Sequence, residues 1–182
     1  MNGILKGVRP LDYVLAGLLT ALGVLLMVEN ITAPADADLA HPVDTRSWVI
    51  LPVFLLVTLP ILWRRRNILA VIGVTIAASV VHLLAFGWLT RCGATLPLSF
   101  ALAYAVARFA GTIRNQLIGV AGIVLLQVVV LIHDSSIGQV ADGLVIALPG
   151  AALFYGIGLL VQNRVSRKQP VTVAPAAERA VV

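Results

Sequence analysis

The chain alternates between long apolar runs and short stretches rich in charged and turn-forming residues. Six apolar runs are separated in this way, and most reach the roughly 17–25 residues that a transmembrane helix needs. The predicted spans are residues 11–28, 47–63, 68–89, 96–111, 116–132 and 143–162. The pattern therefore predicts an all-α, polytopic integral membrane protein with six transmembrane helices.

The fourth run is the shortest, although Pro97 suits the first turn of a helix. The distribution of Lys and Arg residues nevertheless favours counting this run as a span. Without this span, Arg164, Arg167 and Lys168 would face the outside, against the excess of Lys and Arg in cytoplasmic segments. Six spans with a cytoplasmic N-terminus are therefore predicted.

With this orientation, all 13 Lys and Arg residues except Arg46 and Arg91 lie on the cytoplasmic side. They are Lys6, Arg9, Arg64, Arg65, Arg66, Arg108, Arg114, Arg164, Arg167, Lys168 and Arg179. We expect a bacterial plasma (inner) membrane protein with both termini cytoplasmic, in which residues 1–168 form one transmembrane domain and 169–182 a disordered tail. A cleaved signal peptide over the first run is the alternative, but that run is longer than the usual ~7–15-residue core.

Composition excludes several classes of protein. The chain of 182 residues is 60% hydrophobic and 12% charged, which leaves too few polar residues to cover a water-soluble domain. The net charge of +5 would suggest nucleic acid in a soluble protein, but here it reflects membrane orientation. The single cysteine, Cys92, forms no internal disulfide, and no zinc-binding spacing occurs.

Two polar residues within predicted spans are candidates for sensing or packing. His82 and Gln127 are predicted at similar depths in the third and fifth spans, and a polar group in a bilayer is costly unless it is paired. A hydrogen bond between them would join two helices. His82 could instead titrate as a proton or ligand sensor.

Five other residues are singled out by spacing or charge. Tyr104 and Arg108 are four residues apart and share a helix face, so that Arg108 can reach lipid phosphates as an anchor or act as a gating charge. The pair Pro149 and Gly150 interrupts the sixth run, as a hinge or as a tolerated irregularity. Asp12 is expected to form an ion pair with Arg9 at the membrane surface.

Enzyme signatures are missing from the sequence. It contains no glycine-rich phosphate loop, HExxH or GxSxG motif, and no pair of carboxylates within the spans. His133 followed by Asp134 is not read as a phosphoacceptor motif, because it ends a span on the predicted outer face. We therefore expect no catalytic residues, no cofactor and no metal site.

Three stretches resemble the N-terminal membrane domain of actinobacterial sensor histidine kinases. The first runs from Leu59 to Gly87, with a Leu-Pro pair, Trp63 and the triplet Arg64–Arg66 before a long Ala/Val/Leu helix. The second is Leu102–Gly111 with its Tyr-x-Val-Ala pattern, and the third is the closing LLVQNRVSRKQ. The resemblance covers residues 47–168.

This resemblance implies a sensory or signal-input module that relays a signal from the bilayer or the outer loops through its last helix. The dimerisation helix and ATP-binding domain of the family have no counterpart in the sequence, so none of its catalytic residues maps here. Expected partners are the lipid bilayer and either a second copy or another protein, without nucleic acid. The alternatives are a small-molecule uptake component, such as the six-helix substrate-binding subunit of an energy-coupling-factor transporter, and an accessory subunit.

Overall fold

The computed structural model describes residues 8–34 and 38–168 as a bundle of helices. The helices are α1 (Pro10–Thr32), α2 (Ile50–Thr58), α3 (Ile68–Phe86), α4 (Cys92–Phe109), α5 (Ile113–Leu131) and α6 (Val140–Lys168), and a 3-10 helix over Leu59–Trp63 continues α2. These residues contain no strand, only an isolated bridge between Leu89 and Asp134. The predicted tail over 169–182, together with Lys6 and Arg179, lies outside the described residues.

Five of the six helices are long and apolar enough to cross a membrane, and the second is not. Its nine α-helical and five 3-10 residues rise about 24 Å, whereas the hydrocarbon core is about 30 Å thick. Pro60 explains the change of helix type, because it has no N–H to donate and its ring clashes with the carbonyl four residues before. The prediction of six full spans is thus confirmed for five helices.

Successive helices run in opposite directions, so the bundle has two distinct ends. At one end, called the loop end, residues 38–49 and the connections 87–91 and 132–139 contact one another. At the other, called the arginine end, the start of α1 contacts Arg64 and Arg65, and Arg65 lies over the ring of Phe109. Charged groups from distant parts of the chain meet at each end.

Helix α4 is the centre of the bundle. Half of its span is buried, compared with 17–33% in the other four long helices, and Leu98, Leu102 and Val106 are fully enclosed. This position explains why the fourth run looked weak in the sequence, since a helix surrounded by protein needs less apolar surface than one facing lipid. The other helices expose large apolar side chains, among them Leu84 at 79% and Val145 at 73%. The fold is that of a membrane-embedded protein.

The predicted boundaries of α4 are wrong at its start. The helix begins at Cys92 and not at residue 96, so Pro97 lies inside it and not in its first turn. The earlier start is stabilised from outside the local sequence, because the carboxylate of Asp134 accepts hydrogen bonds from the first backbone amides. The carbonyl of Gly93, four residues before Pro97, consequently loses its usual donor.

Helix α6 is longer than predicted and unbroken. It covers 29 residues and continues through Pro149 and Gly150, with Pro149 on an exposed face, which agrees with a tolerated irregularity at this pair. Gly150 has a packing role, because a Cβ atom there would lie 2.5 Å from Cζ of Phe100 on α4. Gly158 lies equally close to α4, where a Cβ would be 2.8 Å from the backbone oxygen of Tyr104. Glycines therefore let α6 lie directly against the central helix.

Candidate functional site

The guanidinium group of Arg91 is the centre of the polar groups at the loop end. Arg91 is buried, and its nitrogens donate to the carbonyl oxygens of Gly87 (2.6 Å) and His133 (2.8 Å) and to Nδ1 of His82 (3.2 Å). Burial lowers the pKa of Arg91 to about 10, and the carboxylates of Asp134 and Asp44 oppose that shift, so the side chain is a cation at neutral pH. One cation thus joins the α3–α4 connection to the end of α5.

Asp134 completes this arrangement from the α5–α6 connection. Its carboxylate is fully buried, and Oδ2 accepts hydrogen bonds from the backbone amides of Arg91 (2.7 Å) and Cys92 (2.6 Å). Oδ1 accepts from the amide and hydroxyl of Ser136. A negative charge at a helix N-terminus is stabilised by the free amides and the helix dipole, so Asp134 caps α4 from another loop. We call His82, Arg91 and Asp134 the loop-end clamp.

His82 is buried in this clamp and not in the contact predicted for it. Its Nδ1 accepts from Arg91, which places the ring proton on Nε2. The Nε2 atom makes no hydrogen bond of standard geometry in the described part of the chain, and the ring lies against the backbone of Ile50 and the rings of Phe54 and Phe86. The space next to His82 and Arg91 holds no water-sized volume. The clamp is therefore a packed structure without room for a ligand.

Gln127 is also buried, but the predicted hydrogen bond to His82 is wrong. Its Nε2 donates to Oγ of Ser99 and to the carbonyl oxygen of Ala147, both at 3.0 Å. Gln127 thus points from α5 towards α4 and α6, whereas His82 points towards Arg91. The positions of His82 and Gln127 along their helices correctly predict that both are buried. Their hydrogen-bond partners depend instead on the direction in which each side chain points from its helix.

Further contacts join the remaining loops to the clamp. Asn30 at the end of α1 is buried, with its amide nitrogen donating to the carbonyl of Thr90 and its oxygen accepting from the Thr90 amide, both at 2.8 Å. Asp44 accepts from the amide of Trp88, whose indole lies between the imidazoles of His41 and His133. The loop end is therefore one connected polar structure.

Asp12 is the buried acid of the arginine end, and the expected pairing with Arg9 is corrected. The Arg9 amide donates to it within the first turn of α1, but the ion pairs are formed with Arg64 and Arg65, each 2.8 Å away. Asp12 and Arg64 are both buried. Two residues of the predicted topology triplet therefore fasten the end of α2 to the start of α1, while Arg66 is exposed.

Tyr104 and Arg108 lie on the same face of α4, as their spacing predicts. Tyr104 lines a groove of about 440 Å³ between α1, α4 and α6, together with Leu11, Arg64 and Phe154. Arg108 lies 5.7 Å from the centre of the Phe109 ring, and its Nε and Nη1 atoms are buried without hydrogen-bond partners in the described residues. Arg164 and Arg167 are exposed near the end of α6, where Lys168 is the last helical residue.

Among the described residues no group of three or more His, Cys, Asp or Glu side chains could hold a metal ion. Sequence reasoning missed the roles of Arg91 and Asp134, because they contact each other over a separation of 43 residues and no local pattern marks that contact. Comparison with protein-family models, with curated proteins and with solved structures found no match.

Proposed function

We propose that the chain is a membrane-embedded signal-input module, in which a change at the loop end displaces the exposed end of α6. The observation that carries this proposal is the extent of α6. This single helix begins next to the loop-end clamp, lies along α4 and continues to Lys168, with the side chains of residues 163–167 exposed. A helix of this kind can transmit a displacement across the bundle.

In this proposal, the displacement of α6 begins with the opening of the loop-end clamp. It fastens the α3–α4 connection to the α5–α6 connection, so these two hairpins move together as long as Asp134 holds the start of α4. Because no ligand fits beside His82, the stimulus acts on the loops or on the lipid-facing surface and not in an internal binding site. The bundle thus has two states, with the clamp closed or open, and α6 follows the change.

The resemblance to the membrane domains of sensor histidine kinases agrees with this mechanism, since in that family the last span leads into a basic cytoplasmic helix. We place both termini in the cytoplasm of a bacterium and count the short α2 segment as the sixth crossing. Its ends support this count, because residue 50 lies near the loop end and Arg64 lies at the arginine end. The partner at the end of α6 is a second copy or a cytoplasmic protein.

The orientation is tested by labelling single cysteines with a maleimide that does not cross membranes. In a Cys92→Ser background, Asp38→Cys is expected to react in intact cells, and Arg164→Cys only after permeabilisation. Both positions are exposed. The reverse pattern would contradict the proposed orientation.

The signalling role is tested by joining residues 1–168 to the catalytic region of a histidine kinase and measuring autophosphorylation in vesicles. Arg91→Lys and Asp134→Asn are expected to change kinase output by about tenfold, since a clamp weakened by about 1.4 kcal/mol shifts a two-state equilibrium by that factor. Asp38→Asn, an exposed acid on the same end, is the control. Unchanged output from folded clamp variants would refute the proposal.

Uptake of a small molecule and an accessory role have no observation in their favour. The larger grooves of the described bundle are lined almost entirely by apolar side chains. A solute site would need several converging polar groups.

A further inference from the structure

We infer that the arginine end contains a binding site for an anionic phospholipid, with the phosphate at Arg108 and an acyl chain in the groove between α1, α4 and α6. This inference does not depend on the signalling proposal. It requires only that the bundle lies in a membrane.

The first observation is an excess of positive charge around one buried acid. Asp12 is the only acid that the described chain contributes to the arginine end, and Arg64 and Arg65 already share its carboxylate. The guanidinium of Arg65 lies 5.0 Å from the centre of the Phe109 ring, and that of Arg108 lies 5.7 Å from the same centre. Two cations next to one ring, with no second acid among the described residues of this end to balance them, attract an anion.

The second observation is the unmet hydrogen-bonding capacity of Arg108. Its Nε and Nη1 atoms are enclosed and have no acceptor among the described residues, although a buried charged donor is costly without one. The side chain as a whole is half-buried, so a change of rotamer along its flexible stem presents these donors to the headgroup layer. The planar guanidinium then binds two phosphate oxygens at once.

The third observation identifies the anion as part of a lipid. The groove of about 440 Å³ begins one helical turn from Arg108, at Tyr104, and Arg64 forms part of its wall. The rest of its lining is apolar, including Leu11, Leu18 and Phe154. A soluble phosphate would use only the arginines, whereas a phospholipid fills the groove as well.

The experiment measures lipid-dependent thermal stability of the purified full chain in detergent. Short-chain phosphatidylglycerol, short-chain phosphatidylcholine and glycerol 1-phosphate are titrated separately. We expect phosphatidylglycerol to raise the unfolding temperature in a saturable way, while the other two compounds do not. An equal effect of glycerol 1-phosphate would assign the site to a soluble anion and overturn the inference.

Arg108→Gln is expected to weaken the affinity for phosphatidylglycerol about tenfold, as loss of a charge-assisted, two-pronged contact does. Arg114→Gln removes the same charge from an exposed position near the same end and is expected to change it less than about twofold. Equal losses in both variants would indicate unspecific charge attraction and overturn the inference, as would no loss in Arg108→Gln.

A second variant, which keeps the positive charge, distinguishes loss of lipid binding from a folding defect. If Arg108→Gln does not fold in the detergent, Arg108→Lys replaces it, because lysine retains the charge but lacks the planar fork. Weaker binding of phosphatidylglycerol by Arg108→Lys supports the site. Affinity equal to that of the unchanged chain would overturn it.

Discussion

The Nε atom of Arg91 donates a hydrogen bond to Nδ1 of His82 over 3.2 Å, which joins the connection before α4 to the side of α3. The bond holds the imidazole in one orientation and directs the guanidinium towards the carbonyl groups of Gly87 and His133. His82 therefore acts through Arg91 and not through a partner on α5.

This relationship predicts energetic coupling between His82 and Arg91. In a double-mutant cycle of His82→Ala and Arg91→Lys, the interaction energy is expected to be about 0.5–3 kcal/mol, because both residues belong to one hydrogen-bond network. The free energy of unfolding is measured in mixed micelles titrated with SDS. The cycle of His82→Ala with Gln127→Ala is expected to be additive within about 0.5 kcal/mol. An interaction energy well above about 0.5 kcal/mol in this second cycle would indicate that His82 and Gln127 are in contact after all.

Asp134→Asn is expected to destabilise the bundle by about 1–3 kcal/mol, because asparagine has a single oxygen, so that either the amides of Arg91 and Cys92 or the amide and hydroxyl of Ser136 then face an NH₂ group. The loss of charge at the start of α4 adds to this effect. Asp38→Asn, which removes an exposed acid, is expected to change stability by less than about 0.5 kcal/mol. Equal stability of both variants would show that the cap contributes nothing.

Asp12→Asn leaves the guanidinium of Arg64 buried without its carboxylate and deprives Arg65 of the same partner. Loss of one partner of a buried ion pair typically costs about 3–5 kcal/mol, and the partial exposure of Arg65 places the expectation at about 3 kcal/mol. Glu29→Gln on the same helix is exposed and serves as the control. A loss below about 1 kcal/mol would mean that water replaces the carboxylate.

The contact between α4 and α6 is tested at two glycines of one helix. Gly158→Ala places a Cβ 2.8 Å from the backbone oxygen of Tyr104, which cannot move aside, and about 1–3 kcal/mol of destabilisation is expected. Gly156 has no atom within 4 Å, so Gly156→Ala is expected to be neutral or stabilising by up to about 1 kcal/mol. Thermal unfolding compares the two. A reversed order would contradict the packing.

Local sequence pattern was enough to predict the helices, because each apolar run is long and bounded by charges or turn residues. The helix boundaries that were predicted wrongly depend on residues outside the local sequence pattern. The start of α4 depends on Asp134, and no window around Pro97 contains that residue. The length of α2 depends on Pro60, whose effect on helix type was not read from the pattern.

The polar contacts were less predictable for a geometric reason. Position along a helix gives depth in the membrane, and on that basis His82 and Gln127 are both buried, as polar groups in spans should be. Direction around the helix depends on which neighbours it packs against, and one sequence does not contain that information. Arg91 was placed in a loop correctly, but its burial follows from contacts with carbonyl groups that have no sequence signature.

The cap on α4 also imposes an order on biogenesis. Asp134 lies 42 residues after Cys92, so the ribosome delivers the start of α4 well before the carboxylate that covers it. Until the α5–α6 connection has been synthesised, the amides of Arg91 and Cys92 lack the carboxylate of Asp134 as an acceptor. The hairpin of α3 and α4 therefore lacks its cap until the part of the chain that contains Asp134 has been synthesised.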